Sequence, residues 1–241
     1  PPFAVVTKDA KQIVGPITAW QKDEKLWLEL SPEQFGKPFM LSPKLSTGIG
    51  EAFVLGGLMA YSVSGAGGPQ LVEFVRVHNL VRLQARNVEV ITQPGTPEAR
   101  AVAVSYSPSL LGSAAVASQP HPESKTVLID ASTLFLSDML GVGMQLQRAF
   151  RQGYSLDPRN SSITAVRGSP QSLEIQTQNH YYSGNIAVPQ PGSPPGMPAP
   201  TVPKYVPDTR SLFVGHHYSL APLPETPMAP RRADARIGLT T

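Results

Sequence analysis

The stretch that decides the fold is Ser211–Leu220, SLFVGHHYSL, which opens the longer run SLFVGHHYSLAPLPETPMAPRRADARIG ending at Gly238. Its residues alternate as in a half-buried strand, and one face carries Leu212, Val214, His216 and Tyr218. The four prolines that follow, beginning at Pro222, fix φ and remove amide donors. The run therefore predicts a strand that continues as an extended surface tether.

The composition agrees with a fold built from strands. The 241 residues include 26 prolines and 20 glycines, and only 15% are charged, which favours many turns and few long helices. Hydrophobic residues make up 41%, enough for a sizeable core. We predict a mostly β, α+β fold, with antiparallel hairpins in a twisted sheet or sandwich and two or three short helices.

Hairpin patterns occur in three parts of the chain. Residues 3–30 form alternating runs around a polar turn at 21–25, and residues 71–85 alternate around His78-Asn79. In the second hairpin we expect Leu71, Val75 and Val77 on one face, opposite Phe74. The third hairpin spans residues 163–182 and follows a turn predicted at residues 157–160.

Helix start signals appear at Ser31-Pro32, Thr96-Pro97 and Ser137-Asp138. In the last of these helices Met144 is expected on the core face. The chain is predicted to divide into a β-rich core domain at 1–188, a Pro-rich loop or linker at 189–207, and a returning strand with a basic tether at 208–241. The linker holds eight prolines in 19 residues, and such a segment cannot bury a core.

Few residues are suited to chemistry. The chain has no cysteine, no HExxH and no G-x-S-x-G, and its sequence marks out no Ser, His and Asp set. His216 and His217 are neighbours on a strand and point to opposite faces; for His216 the alternatives are a cross-strand contact with His180 and the favoured role of a hydrogen-bonded structural histidine. We therefore predict no catalytic and no metal-binding residue, and no cofactor in this chain. The scattered basic residues argue against nucleic acid, and no apolar run has the length of a transmembrane helix.

Several motifs together resemble the N-terminal, non-catalytic region of large bacterial zinc-dependent metalloproteases. They are spread over nearly the whole chain: Gly48-Ile49-Gly50-Glu51, Gly56-Gly57-Leu58-Met59, Gly95-Thr96-Pro97-Glu98-Ala99-Arg100, Asp157-Pro158-Arg159-Asn160-Ser161-Ser162, His217-Tyr218-Ser219-Leu220, Leu223-Pro224, Met228, Pro230-Arg231, Asp234 and Arg236-Ile237-Gly238. Two positions depart from the resemblance, Ala235 where proline is expected and Leu239 where an aromatic residue is expected.

The resemblance implies an accessory domain that precedes a metzincin-like catalytic domain. In such a protein a downstream HExxHxxGxxH would hold zinc and hydrolyse peptides, so zinc and catalysis would both lie outside this chain. Its expected partners are that catalytic domain and the peptide or protein substrate, in a secreted, periplasmic or cell-envelope setting. The start at Pro1-Pro2 suggests a piece of a longer precursor. Whether the domain assists folding, covers the cleft or binds substrate is left open.

Docking on the catalytic domain is expected to involve the C-terminal run. Its arginines flank an aspartate, a pattern suited to bidentate pairing with carboxylates, although a solvated loop with one local ion pair is an equal alternative. The candidate interdomain docking residues are His217, Tyr218, Arg231, Arg232, Asp234 and Arg236.

Two other functions remain alternatives. A free-standing β module could bind polysaccharide or peptide through Trp20, Trp27, Tyr181 and Tyr182, and exposed coplanar rings would favour this reading. A hydrolase with an unrecognised site would instead show converging histidines and carboxylates in a pocket.

Overall fold

The computed structural model describes residues 1–59, 68–90, 92–188, 199–226 and 228. The strands in this part of the chain are β1 (Lys11–Ile13), β2 (Thr18–Lys22), β3 (Lys25–Leu30), β4 (Pro38–Thr47), β5 (Gln70–Val77), β6 (Leu80–Ala85), β7 (Ser109–Ala115), β8 (Val127–Asp130), β9 (Ser155–Gly168), β10 (Leu173–Tyr182) and β11 (Ser211–Pro222). The helices are α1 (Phe3–Val6), α2 (Pro97–Ser105), α3 (Ser132–Phe135) and α4 (Val142–Phe150). The predicted mostly β, α+β class is confirmed.

The strands form two antiparallel sheets. One has four strands in the order β1-β2-β3-β8, and the other has seven in the order β7-β6-β5-β4-β11-β10-β9. A hydrophobic cluster joins side chains of both sheets, so Leu28 of β3, Leu83 of β6 and Val214 of β11 belong to the same core. The segment after the Pro-rich region is therefore built into the core that residues 1–188 form.

Strand β11 lies inside the larger sheet, between β4 and β10. The face predicted to be apolar is buried, from Leu212 to Tyr218, because it packs on the shared core. At Gly215 the pairing with β4 shifts register, and a Cβ there would lie 2.4 Å from Thr47 Oγ1 and 2.5 Å from Ser46 Oγ. A side chain at this position would collide with these two hydroxyls, so the pairing favours glycine. The predicted strand is thus confirmed, and it holds the two halves of the sheet together.

The local signals for hairpins and helix starts are largely confirmed. The turns at residues 23–24 and 78–79 join β2 to β3 and β5 to β6, with positive φ at Asp23 and His78. Thr96 caps α2 by accepting a hydrogen bond of 3.1 Å from the Ala99 amide. A 3-10 turn, Pro32–Gln34, follows Ser31.

Two predictions of local structure are wrong. Phe3–Val6 is helical, not extended, and residues 157–160 lie inside strand β9. The alternation predicted for β5 is present: Val72 and Phe74 are buried, and Leu71, Val75 and Val77 lie on the other face.

The helix predicted after Ser137 begins later, at Val142. Asp138 is its cap, because its carboxylate accepts the Val142 amide at 2.8 Å and the Gly143 amide at 3.0 Å. Leu146 and Phe150 are four residues apart, share one face and are buried, whereas Met144 is two residues from Leu146, about 200° around the helix, and is 44% exposed. The prediction that Met144 fills the core is therefore wrong.

Candidate functional site

Of the six predicted docking residues, the structure describes His217 and Tyr218, and their side chains lie on opposite faces of β11. Tyr218 is 1% exposed, and its ring packs against Phe135 with the ring centroids 5.1 Å apart. Its side chain is therefore part of the core and cannot contact a neighbouring domain, which corrects the prediction for this residue. Four other predicted positions, Arg231, Arg232, Asp234 and Arg236, lie outside the described residues.

His217 lies on the opposite face of β11, which we call the outer face. Its Nε2 atom is 2.6 Å from Glu174 Oε2, and Ser219 donates a hydrogen bond of 2.8 Å to Glu174 Oε1. Burial raises the pKa of Glu174, but hydrogen bonds from Ser172, Ser219 and His217 outweigh it and leave the pKa below its ordinary value. His217 is thus half-buried and already paired within its own sheet.

The remaining histidines occupy separate environments. His78 sits in a turn, and His121 accepts hydrogen bonds from backbone amides of its own loop. His216 and His180 do not meet, since His216 pairs with Thr177 while His180 pairs with Phe213. Across the described ranges, no three histidine or acidic side chains are grouped so that they could hold a metal ion.

A hydrogen-bonded chain of Asp157, His180 and Ser211 crosses three adjacent strands on the outer face. His180 Nδ1 lies 3.1 Å from Asp157 Oδ2, and His180 Nε2 lies 2.8 Å from Ser211 Oγ. Asp157 is the direct cross-strand partner of His180, and Ser211 is two residues from its other partner, Phe213. This set could not be found in the sequence, because Asp157 and Ser211 are 23 and 31 residues from His180 and come together only through the register of the strands.

The bulge in β9 fixes the carboxylate of this chain. Between Asp157 and Ser162 the pairing with β10 shifts, and the extra residues fold back on Asp157. Asn160 Nδ2 donates to Asp157 Oδ2 at 2.6 Å, and the Arg159 amide donates to Oδ1 at 3.1 Å. The bond from Asn160, with smaller contributions from His180 and Arg159, lowers the pKa of Asp157. Asp157 is therefore an ionised acceptor.

That ionised carboxylate determines the tautomer of His180. A carboxylate can only accept, so Nδ1 carries the proton and donates to Asp157. In the neutral ring Nε2 is then an acceptor, and the Ser211 hydroxyl donates to it. The His180 side chain is 9% exposed, whereas the flanking rings of Tyr182 and Phe213 are 45% and 47% exposed.

The buried face of β10 and β11 contains a second polar cluster. Both ring nitrogens of His216 have no hydrogen-bond partner among the described residues, and the same is true of Thr177 Oγ1, Asn179 Oδ1 and the Tyr218 hydroxyl. Burial lowers the pKa of His216 to about 4, so its ring is neutral at pH 7. Burial also raises the pKa of nearby Asp138, which accepts the Tyr181 hydroxyl at 2.8 Å.

A third feature is a turn with unusual residues. Glu51 and Val54 form a bridge, and the two residues between them, Ala52 and Phe53, have φ of 57° and 59°. Two-residue turns with both φ values positive favour Asn-Gly, since a side chain in this conformation is strained. Gly48 permits this arrangement, because a Cβ there would lie 2.1 Å from the Val54 carbonyl oxygen. The turn holds Phe53 outward, where it is 80% exposed.

An apolar groove of about 630 Å³ surrounds this phenylalanine. The turn is fixed to helix α4 by a hydrogen bond of 3.0 Å from Gln145 Nε2 to the Ala52 carbonyl oxygen. We call this region the Phe53 surface; it is lined by Ala52, Phe53, Leu58, Met59, Gln145, Arg148 and Ala149. Leu58 and Met59 are 45% and 41% exposed, so several large apolar side chains share one patch.

The aromatic residues considered for ligand binding are divided between surface and core. Trp20 and Trp27 are cross-strand neighbours and both are half-buried. Trp20 is engaged within the domain, since its indole donates to Glu29 at 2.8 Å and its ring meets Phe3 edge-on. Tyr181 is fully buried, whereas Tyr182 remains accessible.

The fold and these sites define a mostly β domain with an exposed apolar groove and a largely buried Asp–His–Ser chain. The chain belongs to the family described as a domain of unknown function, DUF5117, whose model matches residues 64–241. The match includes β5 to β11. Comparison with curated proteins gives no match, and neither does comparison with solved structures. No helix in the described ranges is long and apolar enough to cross a membrane.

Proposed function

We propose that the chain is an N-terminal accessory domain of a bacterial zinc-dependent metallopeptidase and that it docks on the catalytic domain through the Phe53 surface. The resemblance described above supports the type of protein. The zinc and the peptide hydrolysis belong to the downstream domain. The accessory domain described here supports folding, regulation or substrate binding, in a secreted, periplasmic or cell-envelope protein.

The observation that carries the docking proposal is the exposure of Phe53 in a strained turn. Holding a residue other than glycine in the left-handed region costs roughly 1–2 kcal/mol, and the turn does so at two successive positions. The exposed ring also leaves an apolar surface in water. Both costs are offset if a partner covers Phe53, and the partner that the resemblance supplies is the adjoining catalytic domain.

The first experiment compares the 241-residue chain with the protein extended by its natural C-terminal continuation. Each is assayed for bound zinc and for hydrolysis of an unstructured protein, with and without 1,10-phenanthroline. The proposal expects zinc and chelator-sensitive hydrolysis in the extended protein alone. Zinc-dependent hydrolysis by the 241-residue chain would overturn it.

The second experiment tests the docking surface in the extended protein. We expect Phe53→Ser to loosen the contact between the domains, seen as faster limited proteolysis between them and as reduced peptide hydrolysis. Val104→Ser is the matched control, because Val104 is 90% exposed but lies on helix α2, outside the Phe53 surface. Equal proteolysis and activity in the Phe53→Ser variant and the unmodified protein would exclude docking through this surface.

A second candidate function is a β module that binds polysaccharide or peptide. Tyr182 and Phe213 favour it, because both are nearly half exposed and lie close together around His180. Affinity electrophoresis in gels containing soluble polysaccharides would show retardation that Tyr182→Ala removes. Unretarded migration in every gel, together with the docking result above, would favour the accessory domain.

A further inference from the structure

We propose that Ser211 is a nucleophile that His180 and Asp157 activate, and that the domain is acylated by small activated esters and hydrolyses them. The inference does not depend on the proposed docking or on zinc. It concerns the outer face of β9, β10 and β11, which the Phe53 surface does not include.

The geometry gives each residue the role that nucleophilic catalysis requires. The 2.8 Å contact places the Ser211 hydroxyl within proton-transfer distance of Nε2, and the 3.1 Å contact orients the ring through Nδ1. The tautomer argued above leaves Nε2 free to accept the serine proton. Asn160 and the Arg159 amide hold the carboxylate in place, so the acceptor at Nδ1 is itself oriented.

The same bonds could simply tie three strands together, and two observations favour chemistry over that reading. Ser211 and Asp157 are half-buried, so the two ends of the chain lie at the surface of the sheet and not in the core. The rings of Tyr182 and Phe213 lie 6.3 Å and 4.9 Å from the His180 ring and are nearly half exposed. Exposed rings beside the proposed base offer apolar surface for the acyl or aryl group of a small ester.

The proposed reaction has two balanced steps. Ser211 Oγ attacks the ester carbonyl while its proton passes to His180 Nε2, and Asp157 stabilises the imidazolium. The tetrahedral adduct expels the alcohol, which takes the proton from Nε2 and leaves an acyl-serine. Water then attacks the acyl-serine with the same proton transfers, releasing the carboxylic acid and restoring Ser211.

A fluorophosphonate probe tests the nucleophile directly, because it reacts with activated serines and the adduct is located by peptide mass spectrometry. We expect modification at Ser211, abolished by Ser211→Ala and slowed about 100-fold by His180→Gln, since a positioned general base contributes roughly 10²–10⁴-fold. Ser219→Ala is the matched control, because Ser219 is on the same strand and face but donates to Glu174 instead of to a histidine.

The readouts separate this inference from the zinc proposal. Labelling and p-nitrophenyl acetate hydrolysis should be unaffected by 1,10-phenanthroline and should depend on Ser211 in both the 241-residue chain and the extended protein. Thermal unfolding of each variant checks that the fold is retained. If Ser211 is labelled no faster than Ser219, or if His180→Gln labels as fast as the unmodified chain, the three residues only join strands and the inference is wrong.

Discussion

Replacing Ala52-Phe53 by Asn-Gly should make the domain more stable while weakening its docking. The two φ values, 57° and 59°, are those that Asn and Gly adopt most readily in a two-residue turn. Removing the backbone strain at two left-handed positions should raise the unfolding free energy by at most roughly 2–4 kcal/mol. Glycine is more flexible than phenylalanine in the unfolded chain, and this lowers the gain in unfolding free energy by about 0.5–1 kcal/mol. Allowing for the packing lost with the ring, we expect a net gain of about 1 kcal/mol in unfolding free energy.

The effect on docking has the opposite sign. An aromatic side chain that is 80% exposed offers on the order of 160 Å² for burial, or at most about 4 kcal/mol at 25 cal/mol per Å². Because truncation of an aromatic anchor typically costs about 2 kcal/mol or more, we expect the contact between the domains to weaken about 30-fold or more. The opposed signs distinguish docking from a structural role for Phe53.

Urea unfolding followed by circular dichroism measures the first effect, and limited proteolysis of the extended protein measures the second. His78→Gly is the matched control, because His78 has a φ of 54° in another two-residue turn, outside the Phe53 surface. It should gain stability without changing the proteolysis. If Asn-Gly lowers the urea midpoint at unchanged slope, Phe53 stabilises the folded domain and the reasoning about strain is refuted.

Three further predictions concern the core. Burial lowers the pKa of His216 to about 4 from about 6.5 when unfolded, so below pH 6.5 the unfolded chain binds the extra proton. Stability should fall by about 3 kcal/mol between pH 6.5 and 4, and a His216→Leu variant measured by urea titration should lack this component. Gly215→Ala should cost about 1–3 kcal/mol because its Cβ would meet two hydroxyls of β4, and Ser46→Ala should recover part of the loss. Asp138→Ala should lower the unfolding free energy by about 2–3 kcal/mol, since it removes the cap of α4 and leaves the Tyr181 hydroxyl unpaired. Asp208→Ala is its exposed control, where losing the solvent-exposed ion pair with Arg210 should leave the unfolding free energy almost unchanged.

The parts of the fold that could be predicted are those that local chemistry determines. The alternation in β11 and the turn at His78-Asn79 are set within a few residues, and the structure has both. The predictions failed where a distant partner decides. Residues 157–160 are predicted as a turn, yet pairing with β10 makes them part of strand β9. Ser137-Asp138 carries a true cap signal, yet the cap acts across a short loop and the helix starts at Val142.

The Asp157–His180–Ser211 chain could not be predicted because it depends on register. A shift of one residue in either pairing would move His180 to the other face, away from the carboxylate and the hydroxyl. The bulge in β9 adds a second condition, since it folds Asn160 back onto Asp157. Neither the register nor the bulge can be recognised from neighbouring residues in the sequence, where residues 157–160 resemble an ordinary turn.

The Phe53 turn differs, because here the residue types conflict with the backbone conformation that they adopt. A chain selected only for folding would place Asn-Gly between Glu51 and Val54, where the backbone demands positive φ twice. It has Ala-Phe instead, so the local preference and the fold disagree at this point. Such a conflict persists when something other than stability maintains it, and an exposed ring in an apolar groove is what a docked neighbour would maintain. The conflict therefore makes Phe53 the residue on which the docking proposal depends.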